Sequence, residues 1–221
     1  MDTAAATHVG YVRGRNEDAY LLAPDRGLFA VADGLGGHPA GDIASRIAVR
    51  TLDERLDAAS LGEDPGGSLE AAIHAAHEAI AGETRRSPET HGMGTTIVTG
   101  WSDGQRLVLA SVGDSRAYRL RDGTLTQLTT DDVWEAAYGR SLTQALGTGG
   151  EIATEVLDLD LRPDDRVLLC TDGLTDMVDD ALIADVLGAP MDAQGIVERL
   201  TASALDHGGY DNITIIALIP A

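Results

Sequence analysis

The chain has 221 residues, enough for a substantial core, and carries 36 acidic against 16 basic residues for a formal net charge of −20. That balance argues against a nucleic-acid or anionic-membrane surface as the natural partner and suits a cation site, or a substrate with positive charge around its phosphate. A single cysteine, Cys170, excludes an internal disulfide and any cysteine-rich metal site. No stretch approaches the ~18 apolar residues of a membrane helix, and no signal peptide is expected, since the first residues lack a basic region followed by an apolar one. A monomeric cytoplasmic protein with one domain, residues 1–221, is expected.

In chain order, residues 1–8 read as a frayed end. Apolar Ala19–Ala23 is a strand that turns at Pro24–Gly27 into Leu28–Ala32, which runs into Asp33-Gly34. A carboxylate at the tip of a buried strand is costly to desolvate unless something positive sits beside it. The glycine lets a ligand approach the main chain. The hairpin carries Glu17 and Asp18 back toward Asp33, with Arg13 close by. A guanidinium fork there suits a carboxylate or a phosphate equally.

The spacing of Ile43, Ile47, Ala48, Leu52 and Leu56 predicts an amphipathic helix over 41–58. Asp64–Gly67 reads as a linker, and Ser68 as the cap of a second helix running to about Arg86. His74 and His77, on that helix, read as surface residues. Thr95–Trp101 and Arg106–Val112 form a hairpin about Ser102-Asp103-Gly104, followed by strands at Ala117–Leu120 and Thr124–Leu128. Asp114 sits at a strand end between them. Residues 129–150 are weakly patterned. Strands resume at Thr154–Leu159 and Asp165–Thr171, the second running into Asp172-Gly173. Helical stretches at about 176–187 and 192–206 precede Asp211, which opens the last strand, Ile213–Ile219. Short antiparallel strands with pairs of helices imply an α+β sandwich with helices outside.

Asp33, Asp172 and Asp211, far apart in sequence but each at a strand end, point to one shared hard-cation site. Carboxylates, a carbonyl and water suit Mg²⁺ or Mn²⁺ rather than zinc or copper. Two such ions ~4 Å apart across a bridging carboxylate lower the pKa of a shared water and clamp a phosphoryl group. The chemistry this favours is phosphate-ester hydrolysis. No P-loop, Gly-x-Ser-x-Gly elbow or Ser-His or Cys-His arrangement competes with it.

Six motifs in order then extend over nearly the whole chain: Gly10-x-x-Arg13-x-x-Asn16-Glu17-Asp18, Asp33-Gly34-Leu35-Gly36-Gly37-His38, Gly92-Met93-Gly94-Thr95-Thr96, Gly113-Asp114-Ser115-Arg116-Ala117-Tyr118, Thr171-Asp172-Gly173-Leu174-Thr175-Asp176 and Gly209-x-Asp211-Asn212-Ile213-Thr214. The set resembles the bacterial metal-dependent type 2C (PPM) serine/threonine protein phosphatases. The resemblance implies a four-layer sandwich, two packed antiparallel β-sheets flanked by pairs of α-helices, with two Mg²⁺ or Mn²⁺ ions at one end. Position by position, it makes Asp33 the bridge between the ions and gives the Gly34 carbonyl to one of them. Asp172 and Asp211 go to the other ion, and Glu17 and Asp18 to metal-bound waters. Arg13 takes the substrate phosphate, and Asp114, with Asp172, a weaker third metal site. Asn212, Thr95 and Thr96 become supporting residues. Phosphorylated proteins are the implied substrates, with a serine/threonine kinase as the opposing enzyme.

Two departures accompany it. Leu35 stands where animal members have a histidine, and His38 lies three residues on. The flap is also short: Thr130-Asp131-Asp132, with Asp132 in place of the family's histidine, runs almost directly to Gln144-Ala145-Leu146-Gly147. That bears on substrate selection and on the third ion. Within it, Trp134 and Tyr138 would share one face of a short helical turn. The competing readings are a dedicated phosphatase of one regulator, such as an anti-sigma antagonist, and a non-catalytic binding module.

Overall fold

The apolar runs become strands covered on both faces. The computed structural model describes residues 1–35, 40–136 and 139–220, with side chains except at positions 135, 136, 139 and 140. The strands are β1 Asp2–His8, β2 Asp18–Ala23, β3 Leu28–Asp33, β4 Ile97–Ser102, β5 Arg106–Val112, β6 Arg116–Arg121, β7 Thr124–Gln127, β8 Val133–Ala136, β9 Gly139–Leu142, β10 Glu155–Asp160, β11 Arg166–Cys170 and β12 Ile213–Ile219. The α-helices are α1 Gly41–Arg55, α2 Ala58–Glu63, α3 Pro65–Arg86, α4 Asp172–Thr175, α5 Asp180–Gly188 and α6 Ala193–Asp206.

Two five-stranded sheets, ordered β1-β12-β11-β6-β7 and β10-β5-β4-β3-β2, pair antiparallel throughout. Phe29, Val31, Leu109, Leu169 and Ile216 fill the space between them. On the outer face of the second sheet, Ala30, Ala32 and Val108 pack against Ala48 and Leu52 of α1 and Ile73 and Ile80 of α3. On the outer face of the first, Leu168, Ile213 and Ile215 meet Ile183 of α5 and Ile196 and Leu200 of α6. The expected four-layer α+β sandwich is therefore present. Strands apolar on both sides, such as β12, contribute ~1.5–3 kcal/mol for each large side chain buried.

Local expectations are corrected at several points. Residues 2–8 are not frayed: β1 pairs with β12 along its whole length, from Asp2 opposite Ile219 to His8 opposite Ile213. The first helix ends at Arg55, and a short α2 follows. Asp64, not Ser68, caps α3: its side chain accepts from the Gly67 N–H, and Pro65, with no N–H to satisfy, starts the first turn. The helical stretch expected at about 176–187 starts later, as α5 at Asp180, and a separate short α4 over Asp172–Thr175 precedes it. His77 is buried rather than on the surface, because its Nδ1 accepts the Gly147 N–H at 3.2 Å.

The shortened flap is a β-hairpin, with Trp134 opposite Ser141. The helical turn expected for Trp134 and Tyr138 does not form at Trp134, and Tyr138 lies outside the described residues. The root of the hairpin is tied down. Arg116 grips Asp131 through Nε and Nη2, and the Gly113 N–H donates to Asp132 Oδ2 while the Asp132 N–H returns to the Gly113 carbonyl.

Candidate metal centre

The β2–β3 register sets Asp18 directly opposite Asp33 at the open end of the second sheet. From the first sheet, β11 runs out through Thr171 into Asp172, and Asp211 stands just before β12. Thr171 and Thr214 lock those two ends together, the Thr171 N–H donating to the Thr214 carbonyl and the Thr214 N–H to Thr171 Oγ1, both at 3.0 Å. Three acids distant in sequence thus meet with Asp18 where the two sheets face each other. They lie in or beside a cleft of about 590 Å³ whose lining includes Arg13, Asp33, Gly34, Asp114, Asp172 and Asp211. Leu35, in the position of the animal histidine, lines it too, whereas His38 lies outside the described residues.

Backbone geometry holds the cluster in place. The Thr95 hydroxyl and the Thr96 N–H both donate to the Asp33 carbonyl at 2.8 Å, and the Asp33 N–H donates to Thr96 Oγ1. Asn212 accepts the Glu17 N–H and donates to the Val9 and Arg15 carbonyls, fastening the segment that carries Arg13, Glu17 and Asp18. Two glycines permit the close approach. A Cβ on Gly34 would lie 2.4 Å from the Gly41 carbonyl, and one on Gly173 would lie 1.9 Å from the Asn212 carbonyl oxygen.

The electrostatics are strongly unfavourable for carboxylates alone. Burial raises Asp18 to about 7, with Asp172 and Asp211 adding repulsion. Asp33 is pushed well above the carboxylate range, first by burial, then by Asp18 and Asp172, and it shares a hydrogen bond with Asp172. Burial, then Asp114 and Asp176, raises Asp172 to about 6. Asp33 and Asp172 keep some surface on the cleft, yet packing around them leaves little water to screen the charge. Glu17, on the rim, is raised less, by burial and then by Asp42.

Do these residues fit a cation pair? The donor set is all oxygen, as hard cations require. Asp18 Oδ1 and Asp172 Oδ1 are buried with no hydrogen-bond partner, which is costly for carboxylate oxygens unless a cation meets them. Among the described residues no three acids stand in the closed geometry of a bound ion. Arg13 Nη2 holds Asp211 Oδ2 at 2.6 Å, and Asp33 is engaged with Asp172. The Arg13 guanidinium supplies positive charge at one side of the cluster. The chemistry of the donor set fits a pair of ions.

The family model for protein phosphatase 2C matches residues 12–204. The chain belongs to that family. Over 228 residues it is 40% identical to the serine/threonine protein phosphatase PstP of Mycobacterium tuberculosis, covering 96% of this chain but 44% of that protein, so it spans less than half that relative's length. It is 32% identical to the serine/threonine phosphatase stp of Listeria welshimeri, covering 98% of this chain and 94% of that one. Among solved structures, the M. tuberculosis phosphatase PstP/Ppp superposes with a TM-score of 0.90 at 36% identity, covering 99% and 98% of the two chains. The PstP catalytic domain in complex with two manganese ions superposes with a TM-score of 0.87 at 38% identity, covering 97% and 96%.

As a phosphatase 2C member, the chain brings Arg13, Glu17, Asp18, Asp33, Gly34, Asp114, Asp172 and Asp211 to one end of the sandwich. Arg13 meets the Asp211 carboxylate, one of the two kinds of partner its fork suits. Two contributors were not singled out as site residues. Thr171 Oγ1 donates to Asp18 Oδ2 at 3.0 Å, joining the two sheets at the cluster. Ser115 Oγ bonds Thr96 Oγ1 at 2.7 Å, behind Asp33. Both lie beside motif aspartates, and that adjacency was the available signal. The short flap also has more reach than its length suggested, because Ser141, Leu142 and Thr143 form part of the cleft wall.

Proposed function

We propose that residues 1–221 act as one catalytic unit hydrolysing phosphoserine and phosphothreonine esters in proteins, opposing a serine/threonine kinase. The observation that carries this reading is the pair of orphaned, buried carboxylate oxygens on Asp18 and Asp172 within a cluster of raised-pKa acids. Asp33 would bridge two Mg²⁺ or Mn²⁺ ions, with the Gly34 carbonyl on one and Asp172 and Asp211 on the other. Glu17 and Asp18 orient water, and Asp114 with Asp172 forms a weaker third site. The ions, when bound, supply an activated water and positive charge for the phosphoryl group. Arg13 then exchanges its Asp211 contact for the substrate phosphate, which its planar fork can grip with two hydrogen bonds.

The deciding experiment is turnover of p-nitrophenyl phosphate and of a phosphothreonine peptide with Mn²⁺, with Mg²⁺ and in EDTA. Metal-dependent hydrolysis of both is expected; a metal-binding protein that hydrolyses neither would be a binding module. Arg13→Ala separates binding from chemistry. Losing a charge-assisted contact worth ~1.5–3 kcal/mol raises KM for phosphoester about 10- to 150-fold. Metal affinity, read by calorimetry, stays equal or tightens because Asp211 is released. A loss of metal affinity as severe as that of Asp172→Ala would place Arg13 in the metal site instead.

A further inference from the structure

A second concave surface begins where the metal cluster ends. Strand β2 starts at Asp18, inside the cluster, and is the outermost strand of its sheet, with β3 as its one ladder partner. Among the described residues, no backbone hydrogen bond outside that ladder involves Ala19 to Leu22. Along this open edge runs a groove of about 590 Å³, floored by Ala19, Tyr20 and Leu21 and walled by Ile43, Ile47 and Val49 of α1. Tyr20 is 41% exposed.

The rim of the groove is basic, which is unusual for this chain. All 16 basic residues are arginines, set against a net charge of −20. Arg46 and Arg50, one turn apart on α1, line the groove. Arg46 and Arg15 converge on a single carboxylate, Asp42, at 2.6 and 3.3 Å. Arg50 faces Glu54 at 3.8 Å, beyond hydrogen-bond reach, and Arg26 pairs with Asp53. The groove itself is lined by two arginines, Arg46 and Arg50, and by one acid, Asp53, which Arg26 pairs, so positive charge faces a strand edge that leads out of the cleft.

We propose that this groove docks an acidic, extended segment flanking the phosphorylated residue of a protein substrate. The segment adds to β2 as a further strand, seats its apolar side chains on Tyr20, Leu21, Ile43 and Ile47, and offers its carboxylates to Arg46 and Arg50. An open strand edge is a template for such pairing, with main-chain bonds giving affinity and alternate side chains giving selectivity. The six residues of β2 span ~20 Å, so about six residues beside the phosphoresidue are read. The rest of the acidic surface repels such a segment, which makes the groove its favoured approach. Selection of substrates therefore comes from the strand edge, not only from the short flap. The proposal rests on the phosphatase reading above.

The probe is a phosphothreonine peptide with a six-residue tail of alternating Glu and Val, compared with the same peptide carrying Lys for Glu and with one lacking the tail. At low salt the Glu tail is expected to lower KM about tenfold relative to both, the scale of two exposed ion pairs, and the gain should fade with added salt. Arg46→Ala/Arg50→Ala should abolish the gain and leave turnover of p-nitrophenyl phosphate unchanged. The unphosphorylated Glu-Val tail should slow amide hydrogen exchange at Ala19–Leu22, a readout that needs no catalysis. Equal KM for the three peptides, a gain that survives the double substitution, or unchanged exchange at β2 would overturn the groove alone. Slowed exchange with no hydrolysis of any substrate would overturn the phosphatase reading and leave the groove.

Discussion

Asp33→Asn is expected to cut Mn²⁺-dependent turnover of p-nitrophenyl phosphate by at least about 10³-fold, on the order of 4 kcal/mol of barrier, while leaving the protein folded. The substitution keeps the shape of the side chain and removes its charge. The hydrogen bonds that hold this position come from its own backbone to Thr95 and Thr96, so they survive. What goes is a carboxylate that faces Asp18 and Asp172 together, and with it the group proposed to hold both ions. In EDTA the variant should melt higher than the parent, because the most strongly raised acid of the cluster no longer has to be charged or protonated at a cost. Turnover within tenfold of the parent would remove the two-ion reading of Asp33.

In EDTA, thermal stability is expected to fall as pH rises from about 5 to 8, and saturating Mn²⁺ should flatten that slope. The carboxyls of Asp18, Asp33 and Asp172 are raised above the ~3.9 of an unfolded chain, Asp18 to about 7 and Asp172 to about 6. Between those values the native state binds more protons than the unfolded state, so stability drops with rising pH until the folded groups have titrated. Asp42 and Asp165 are shifted downward, and their contribution is lost only in more acidic solution. Metal at ~100 times its dissociation constant adds ~2.7 kcal/mol per ion, or roughly 5–10 °C in Tm for a chain of this size. Melting curves across this range, with and without Mn²⁺, check the account. A slope that is absent in EDTA, or unchanged by Mn²⁺, would deny the cluster its role as a cation site.

Parts of this molecule were legible because local chemistry marks them. Leu28–Ala32 and Val167–Cys170 are apolar without alternation, which is what a strand covered on both faces demands, and each gives way to an acid followed by glycine. That contrast located Asp33 and Asp172 before any contact was known. Other parts left no such mark. The Ala- and Thr-rich run Asp2–His8 carries little intrinsic preference, and β12 makes it a strand by pairing with it residue for residue. His77 has the sequence surroundings of a helix surface, but the Gly147 N–H arrives from 70 residues away to satisfy it.

By itself, then, the sequence determined the layered α+β class, the strand-end acids and, through six ordered motifs, the family. Each of these depends on residue type and short-range spacing. Tertiary structure alone decided that Arg13 reaches Asp211, that Thr171 ties Asp18 across the two sheets, that the short flap folds as a hairpin into the cleft wall, and that β2 keeps an open edge beside the arginines of α1. Those outcomes depend on which chain segments come within a few ångströms of one another; the contacts of Arg13 with Asp211 and of Thr171 with Asp18 cross more than 150 residues, and such pairing leaves no periodicity in the sequence to read.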